Sequence, residues 1–246
     1  MSFQADQPIQ GYIHSIETGG TVDGPGIRYV GFLQGCPLRC LYCHNPDSWK
    51  LRAGKIMNAD DFFADVLRYK RFIRTGGLTL SGGEPLVQPE FVTRVFQLCR
   101  QEGIHTALDT SGIIPAQKVV SALEETDLVL LDIKSLDDGI CRKLTGASNA
   151  NTLGFLEWLE KNKKPVWIRH VVVPGYTDQI EDLEALGDFL QGYSVIQRVE
   201  LLPFHQMALY KWENLRFPYL LKDLEPPDPA LMEAGERLLR DRGIPV

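Results

Sequence analysis

The sequence predicts an α/β fold, a single-domain partial (β/α)6 barrel of parallel strands spanning residues 1–246, and three observations predict it. Short apolar runs alternate with helical stripes along the chain, the pattern of parallel β/α units. Every unusual polar or glycine motif falls where a predicted strand stops, and in a parallel sheet those points share one face. About six units can be counted, short of the eight of a closed barrel, and no linker is long enough to argue for two domains.

The elements follow in order. Gly11 to Ile16 alternates well enough for a strand, and Thr18 to Gly26, with four glycines and a proline, must be a shaped loop. Ile27 to Leu33 is the next strand. Asn58 is expected to cap a helix that carries Asp60 and Asp61 in its first turn and runs to about Arg74. Leu78-Thr79-Leu80 is a buried strand leaving through Ser81-Gly82-Gly83-Glu84-Pro85. A helix from Pro89, stopped at Gly103, leads to strand His105 to Leu108 and its exit Asp109-Thr110-Ser111-Gly112. Helix Gln117 to Glu125, strand Asp127 to Leu131, and one or two helices between Ser135 and Lys163 continue the alternation. Strand Val166 to Val173, helix 180–191 and strand Val195 to Leu202 come next, and a Pro-rich stretch opens a final helix from about residue 228 to Arg242.

Composition narrows the function classes. With 44% hydrophobic and 24% charged residues the chain is an ordinary globular protein, and its net charge of −6 argues against a nucleic-acid binder or an anionic-membrane protein. No apolar leader or run of 18 apolar residues occurs, so the expectation is a cytoplasmic protein with neither signal peptide nor membrane span. Five cysteines, three of them clustered, read as reduced thiols reserved for metal.

Those three are Cys36, Cys40 and Cys43, at the exit of the second strand. Spaced Cys-x3-Cys-x2-Cys in a tight loop, they can serve three corners of an iron–sulfur cubane and leave the fourth iron open. Common ferredoxin spacings bring a fourth cysteine, and structural zinc wants four ligands in two short pairs. A zinc loop, or an electron-transfer iron–sulfur protein with a closed fourth site, are the competing readings. Gly82 and Gly83 offer backbone that a zwitterionic small molecule can approach, and Asp109 and Asp132 can hold an ammonium or a cation between them.

The thiol run, followed by Gly-Gly-Glu-Pro after the next strand, resembles the radical S-adenosylmethionine (SAM) superfamily. Thr21 to Gly26, Tyr42 to Pro46, Leu108 to Gly112, Leu131 to Lys134 and Ile168 to Gly175 further resemble its glycyl-radical enzyme activases, over a span from about Gly11 onward. The resemblance implies a 4Fe-4S cluster on Cys36, Cys40 and Cys43, with SAM chelating the open iron. Reductive cleavage would give a 5′-deoxyadenosyl radical that takes a hydrogen atom from a glycine Cα of the partner enzyme. It also implies a SAM site at Tyr42, Gly82, Gly83, Glu84, Asp132, Lys134 and His205. A monovalent cation, Na or K, would sit at Asp109, Thr110 and Asp132, and Asp23 and Arg169 would meet the partner's glycine loop. No inserted cysteine-rich segment lies between Cys43 and Leu78, which favours the branch acting on pyruvate formate-lyase. Such an enzyme would be a monomer drawing on a one-electron donor such as reduced flavodoxin. Cys99 and Cys141 read as core or surface thiols and His170 as a strand-packing histidine. A radical SAM enzyme acting on a small molecule, or on another glycyl-radical enzyme, is the alternative.

Overall fold

The computed structural model describes residues 8–246. Its centre is one eight-stranded sheet in the order β3-β1-β2-β4-β5-β6-β7-β8. The strands are β1 (Gln10–Gly20), β2 (Arg28–Leu33), β3 (Lys55–Asn58), β4 (Gly77–Gly82), β5 (Thr106–Thr110), β6 (Leu128–Asp132), β7 (Val166–Val172) and β8 (Ile196–Pro203). From β2 to β8 every neighbouring pair is parallel, whereas β1 is antiparallel to both β2 and β3. The six parallel strands match the expected units, and the antiparallel pair β1 and β3 extends one edge.

Helices α1 (Ala59–Arg68), α2 (Pro89–Gln101), α3 (Val120–Glu124), α4 (Asp138–Thr145), α5 (Ala150–Lys161), α6 (Ile180–Leu190), α7 (Leu209–Asn214) and α8 (Pro229–Asp241) complete the chain. One face of the sheet is sealed by them. Leu78, Leu80, Leu108, Val129, Leu131 and Ile168 point into a single core shared with Phe62, Val92, Phe96 and Leu156 of the helices. Alternation along a strand then dictates what the other face carries. On that face the strands begin with small or apolar residues, Ala107, Leu128, Leu130 and Trp167, which pack together. Two residues further on, the same face presents Asp109, Asp132 and Arg169. The period of two therefore carries the polar groups to the C-terminal rim without placing any of them in the main core.

Some boundaries differ from the sequence expectation. Helix α1 ends at Arg68, and a turn covers the remaining residues before β4. Asn58 caps it by backbone position, its side chain reaching Asp61 instead (3.0 Å). The region between Ser135 and Lys163 holds two helices, α4 and α5. Strand β3 and helix α7 carry no signal in the sequence reading. The free edge of β8 is covered from within the chain: α8 packs beside it, and the Val199 N–H donates to the Pro245 carbonyl (2.7 Å). No helix among the described residues is long and apolar enough to cross a membrane.

Candidate active site

A cavity of about 520 Å³ opens at the C-terminal rim of the parallel strands. It gathers Cys36, Cys40 and Cys43 from the loop after β2, Ser81, Gly82 and Gly83 from the exit of β4, and Asp109 and Thr110 from β5. Asp132 and Lys134 follow β6, Arg169 comes from β7, His205 follows β8, and Asp23 hangs over from the glycine-rich loop. Of the fourteen sequence-predicted site residues, Glu84 alone does not line it.

The glycines are there because the backbones are crowded. A Cβ on Gly82, whose φ is +115°, would lie 2.4 Å from the Leu33 nitrogen, and one on Gly83 would lie 2.3 Å from the Gly35 carbonyl oxygen. Glu84 turns the other way. Buried at 1% exposure, it accepts from Thr110 Oγ1 (2.7 Å), Ser111 Oγ (2.6 Å), Ser111 N (3.0 Å) and Leu86 N (3.2 Å). Its carboxylate ties the exit of β4 to the exit of β5 and has no capacity left for a cofactor. Glu84→Ala leaves those donors unpaired in the interior, so urea denaturation should show a loss of about 3 kcal/mol.

Charges on the rim are paired with one another. Asp132 meets Lys134 at 2.8 Å. Arg169 meets Asp109 at 3.5 Å and Glu200 at 3.1 Å, and it also donates to the Val22 carbonyl. Burial opposes the Lys134 ammonium, but Asp132, Tyr42 and Cys40 around it outweigh burial and hold its pKa well above the ordinary value. Burial raises the Asp109 pKa against the pull of Arg169. One Asp109 oxygen accepts from Ser81 Oγ (2.6 Å), while Oδ1 is buried without a partner. Asp23 is likewise raised by burial and opposed by Arg169. Its loop is anchored from beneath, because the buried Arg28 donates to Thr79 Oγ1 (2.5 Å), which in turn donates to the Asp23 carbonyl (2.7 Å).

The thiols fit a cluster better than a single ion. Among the described residues no three Cys, His, Asp or Glu side chains are gathered closely enough to hold one metal ion. Thiolates that serve three separate irons do not need to meet at a point, whereas tetrahedral zinc requires it. Burial pushes the Cys36 thiol up to about 12, and the Leu38 N–H facing its sulfur pulls the other way. Burial also raises Cys43, against the Asn45 N–H. N–H groups turned toward sulfur favour bound thiolate and set the potential of an iron–sulfur centre. Cys99 and Cys141 are buried in α2 and α4 and stand apart from the cavity.

Beside the predicted Tyr42 the cavity also takes in His44, Trp49, Phe204 and Val22, which were not foreseen. His44 stacks on His205 with centroids 4.2 Å apart, and the Tyr42 hydroxyl is buried without a partner while Lys134 lies 5.6 Å from its ring. Trp49, Phe204 and Val22 complete the wall. The position of His44 directly after Cys43 was the available signal. His170 is buried in β7, bonded through Nδ1 to the Ile133 carbonyl (2.8 Å) and outside the cavity lining.

Three thiols on one loop facing one cavity and a glycine-lined approach at the rim of a partial barrel define a class. The profile described as the Radical SAM superfamily matches residues 30–190, and the chain belongs to that superfamily. Membership carries a 4Fe-4S cluster and SAM as cofactors. Within it, the chain is 44% identical to the pyruvate formate-lyase-activating enzyme of Staphylococcus epidermidis over 248 residues, 97% of this chain and 99% of that one. The enzyme of the same name from Staphylococcus aureus matches to the same extent. A solved domain of the pyruvate-formate lyase-activating enzyme from Bacteroides vulgatus covers 69% of this chain and 96% of its own, with a TM-score of 0.59 at 24% identity, and supports the fold.

Proposed function

We propose that this chain is the activase of a glycyl-radical enzyme, pyruvate formate-lyase, and acts as a single-domain cytoplasmic monomer supplied by a one-electron donor such as reduced flavodoxin. The observation that carries it is the convergence, in one cavity, of the three-thiol loop, the Gly82-Gly83 approach and the Asp23–Arg169 mouth. When bound, the cluster on Cys36, Cys40 and Cys43 and SAM supply a 5′-deoxyadenosyl radical able to take a hydrogen atom from a glycine Cα.

What the chain's own residues do follows from their chemistry. Gly82 and Gly83 let the methionine end of SAM lie against backbone. Lys134, held by Asp132, places a fixed positive charge beside the carboxylate, and the His44–His205 stack and Tyr42 give flat surfaces for the nucleoside. Asp23 and Arg169 offer an acceptor and a fork of donors to an extended backbone. We also propose a monovalent cation at Asp109, Thr110 and Asp132. The unpartnered Asp109 Oδ1 supports it, since a buried carboxylate oxygen without a donor calls for a positive neighbour.

The test is anaerobic incubation of the reduced holoprotein with SAM and pyruvate formate-lyase, read by electron paramagnetic resonance. A glycyl-radical signal that needs all three components is expected. SAM cleavage with no radical on that partner, but on a different glycyl-radical enzyme or a small molecule, would reassign the substrate. Asp109→Asn and Asp132→Asn should each weaken SAM binding about tenfold and blunt its response to K⁺ or Na⁺, while iron content holds. Unchanged affinity and cation response in both would remove the cation site.

A further inference from the structure

The loop that carries the thiols is a partition one residue thick. Leu38, Cys40 and Tyr42 face the cavity, while Arg39 and Leu41 between them line a separate surface groove of about 940 Å³ on the other side. Trp49 lines both spaces. Beyond it the groove is walled by Trp212, Leu215, Phe217 and Leu220, the last three 36%, 42% and 70% exposed.

Aromatic rings connect this surface to the thiol loop. Phe217 stacks on Trp49 with centroids 5.7 Å apart and planes 16° off parallel, and Trp49 meets Trp212 edge-on at 5.2 Å. The Trp212 indole N–H donates to the Cys43 carbonyl at 2.9 Å. A continuous path of rings therefore runs from solvent to the backbone of a cluster cysteine.

The charge around the groove is opposite to that of the molecule. Arg39 and Lys50 line it, and the exposed Arg52 and Arg216 lie in the same two segments, against one exposed carboxylate there, Glu213. No carboxylate pairs with any of the four among the described residues. Asp47, the acidic residue of the lining, is already held by His14 (3.0 Å) and Lys211 (3.2 Å). A positive, apolar-centred patch on a chain of net charge −6 is suited to an acidic partner.

On the proposed function, each turnover consumes one electron at a moment when SAM and the partner's glycine segment fill the cavity mouth. The electron must then cross the loop from the other side. We propose that this groove docks an acidic one-electron carrier protein, which sets its prosthetic group against the Trp49–Trp212 wall. The inference rests on the activase reading. The transfer moves one electron and neither a proton nor a bond: the carrier is oxidised by one electron and the holoprotein is reduced by one.

The test uses holoprotein with reduced flavodoxin as the acidic probe and dithionite as a small reductant that needs no docking. The Lys50→Glu/Arg52→Glu pair should weaken flavodoxin binding and slow flavodoxin-driven reduction about tenfold, with a flatter salt dependence. Leu220→Asp should weaken binding at high salt as well, and the charge-keeping Lys50→Arg should bind as wild type. Reduction by dithionite and dithionite-driven release of 5′-deoxyadenosine should stay at wild-type levels in all of them. Unchanged flavodoxin binding in both disruptive variants would overturn the proposal. An equal loss with dithionite would do the same, as would a wild-type dimer that Leu220→Asp converts to monomer, since the groove would then belong to a second copy. Failure of the activase reading itself is distinguishable: wild-type holoprotein would bind flavodoxin and release 5′-deoxyadenosine with either reductant, yet place no glycyl radical on pyruvate formate-lyase.

Discussion

Cys36→Ala, Cys40→Ala and Cys43→Ala should each fold yet retain almost no iron or sulfide after anaerobic reconstitution, whereas Cys99→Ala and Cys141→Ala retain the wild-type content. The reason is position. The first three thiols come from one loop and face one cavity, with no other cysteine among the described residues beside them to take over a lost corner. Cys99 packs at 0% exposure within α2, and Cys141 lies within α4 with its sulfur 3.9 Å from Thr145 Oγ1. Removing either deletes a small buried side chain, a change of about 1 kcal/mol in stability. Iron and sulfide analysis alongside circular dichroism separates the two groups. Loss of iron in Cys99→Ala with an intact fold would break the assignment of the ligands.

Asp23→Ala should reduce glycyl-radical formation on the partner about a hundredfold, the scale on which misplacing a reacting group lowers a rate, and leave uncoupled SAM cleavage near wild type. Asp23 touches the cavity only at its mouth, and its loop is fixed by Arg28 and Thr79 from below, so removing the carboxylate should not disturb the thiol loop. Arg169→Ala is a less selective variant. Because Arg169 also neutralises Asp109 and Glu200, its loss leaves the cavity-facing Asp109 without its charged partner and Glu200 with Arg198 alone, and some cleavage activity should fall as well. Arg169→Lys keeps the charge without the fork and isolates the peptide role. Radical yield by electron paramagnetic resonance, compared with 5′-deoxyadenosine release in the absence of partner, reads both effects. If Asp23→Ala abolishes uncoupled cleavage too, the residue belongs with the cofactor and not with the peptide.

The central parallel strands were legible because β2, β4, β5 and β6 are buried on both faces and so appear as compact apolar runs with a turn signal behind them. The rim was legible for the same reason: a polar residue immediately after such a run has only the strand's end to occupy. Strand β3 escaped because Lys55–Asn58 is short and half-exposed, joined to β1 by backbone hydrogen bonds that leave no hydrophobic trace. Helix α7 is too short for a period, and Trp212 fastens it to the thiol loop. Glu84 shows a different limit. Its motif specifies where the chain turns, but whether a side chain faces the cavity or the neighbouring strand depends on the hydrogen-bond donors of Thr110 and Ser111, twenty-six and twenty-seven residues away.

The covering of β8 by the Pro245 carbonyl bears on how the protein can be handled. A parallel strand with open N–H and C=O groups is a template for another chain, and here the guard is a five-residue stretch after Asp241 rather than a neighbouring strand. A bulky tag fused directly after Val246, or a truncation at Asp241, would pull that guard away while leaving the thiol loop untouched. Soluble yield at high concentration would then fall before any property of the active site changed, and an N-terminal tag is the safer choice for preparing the holoprotein.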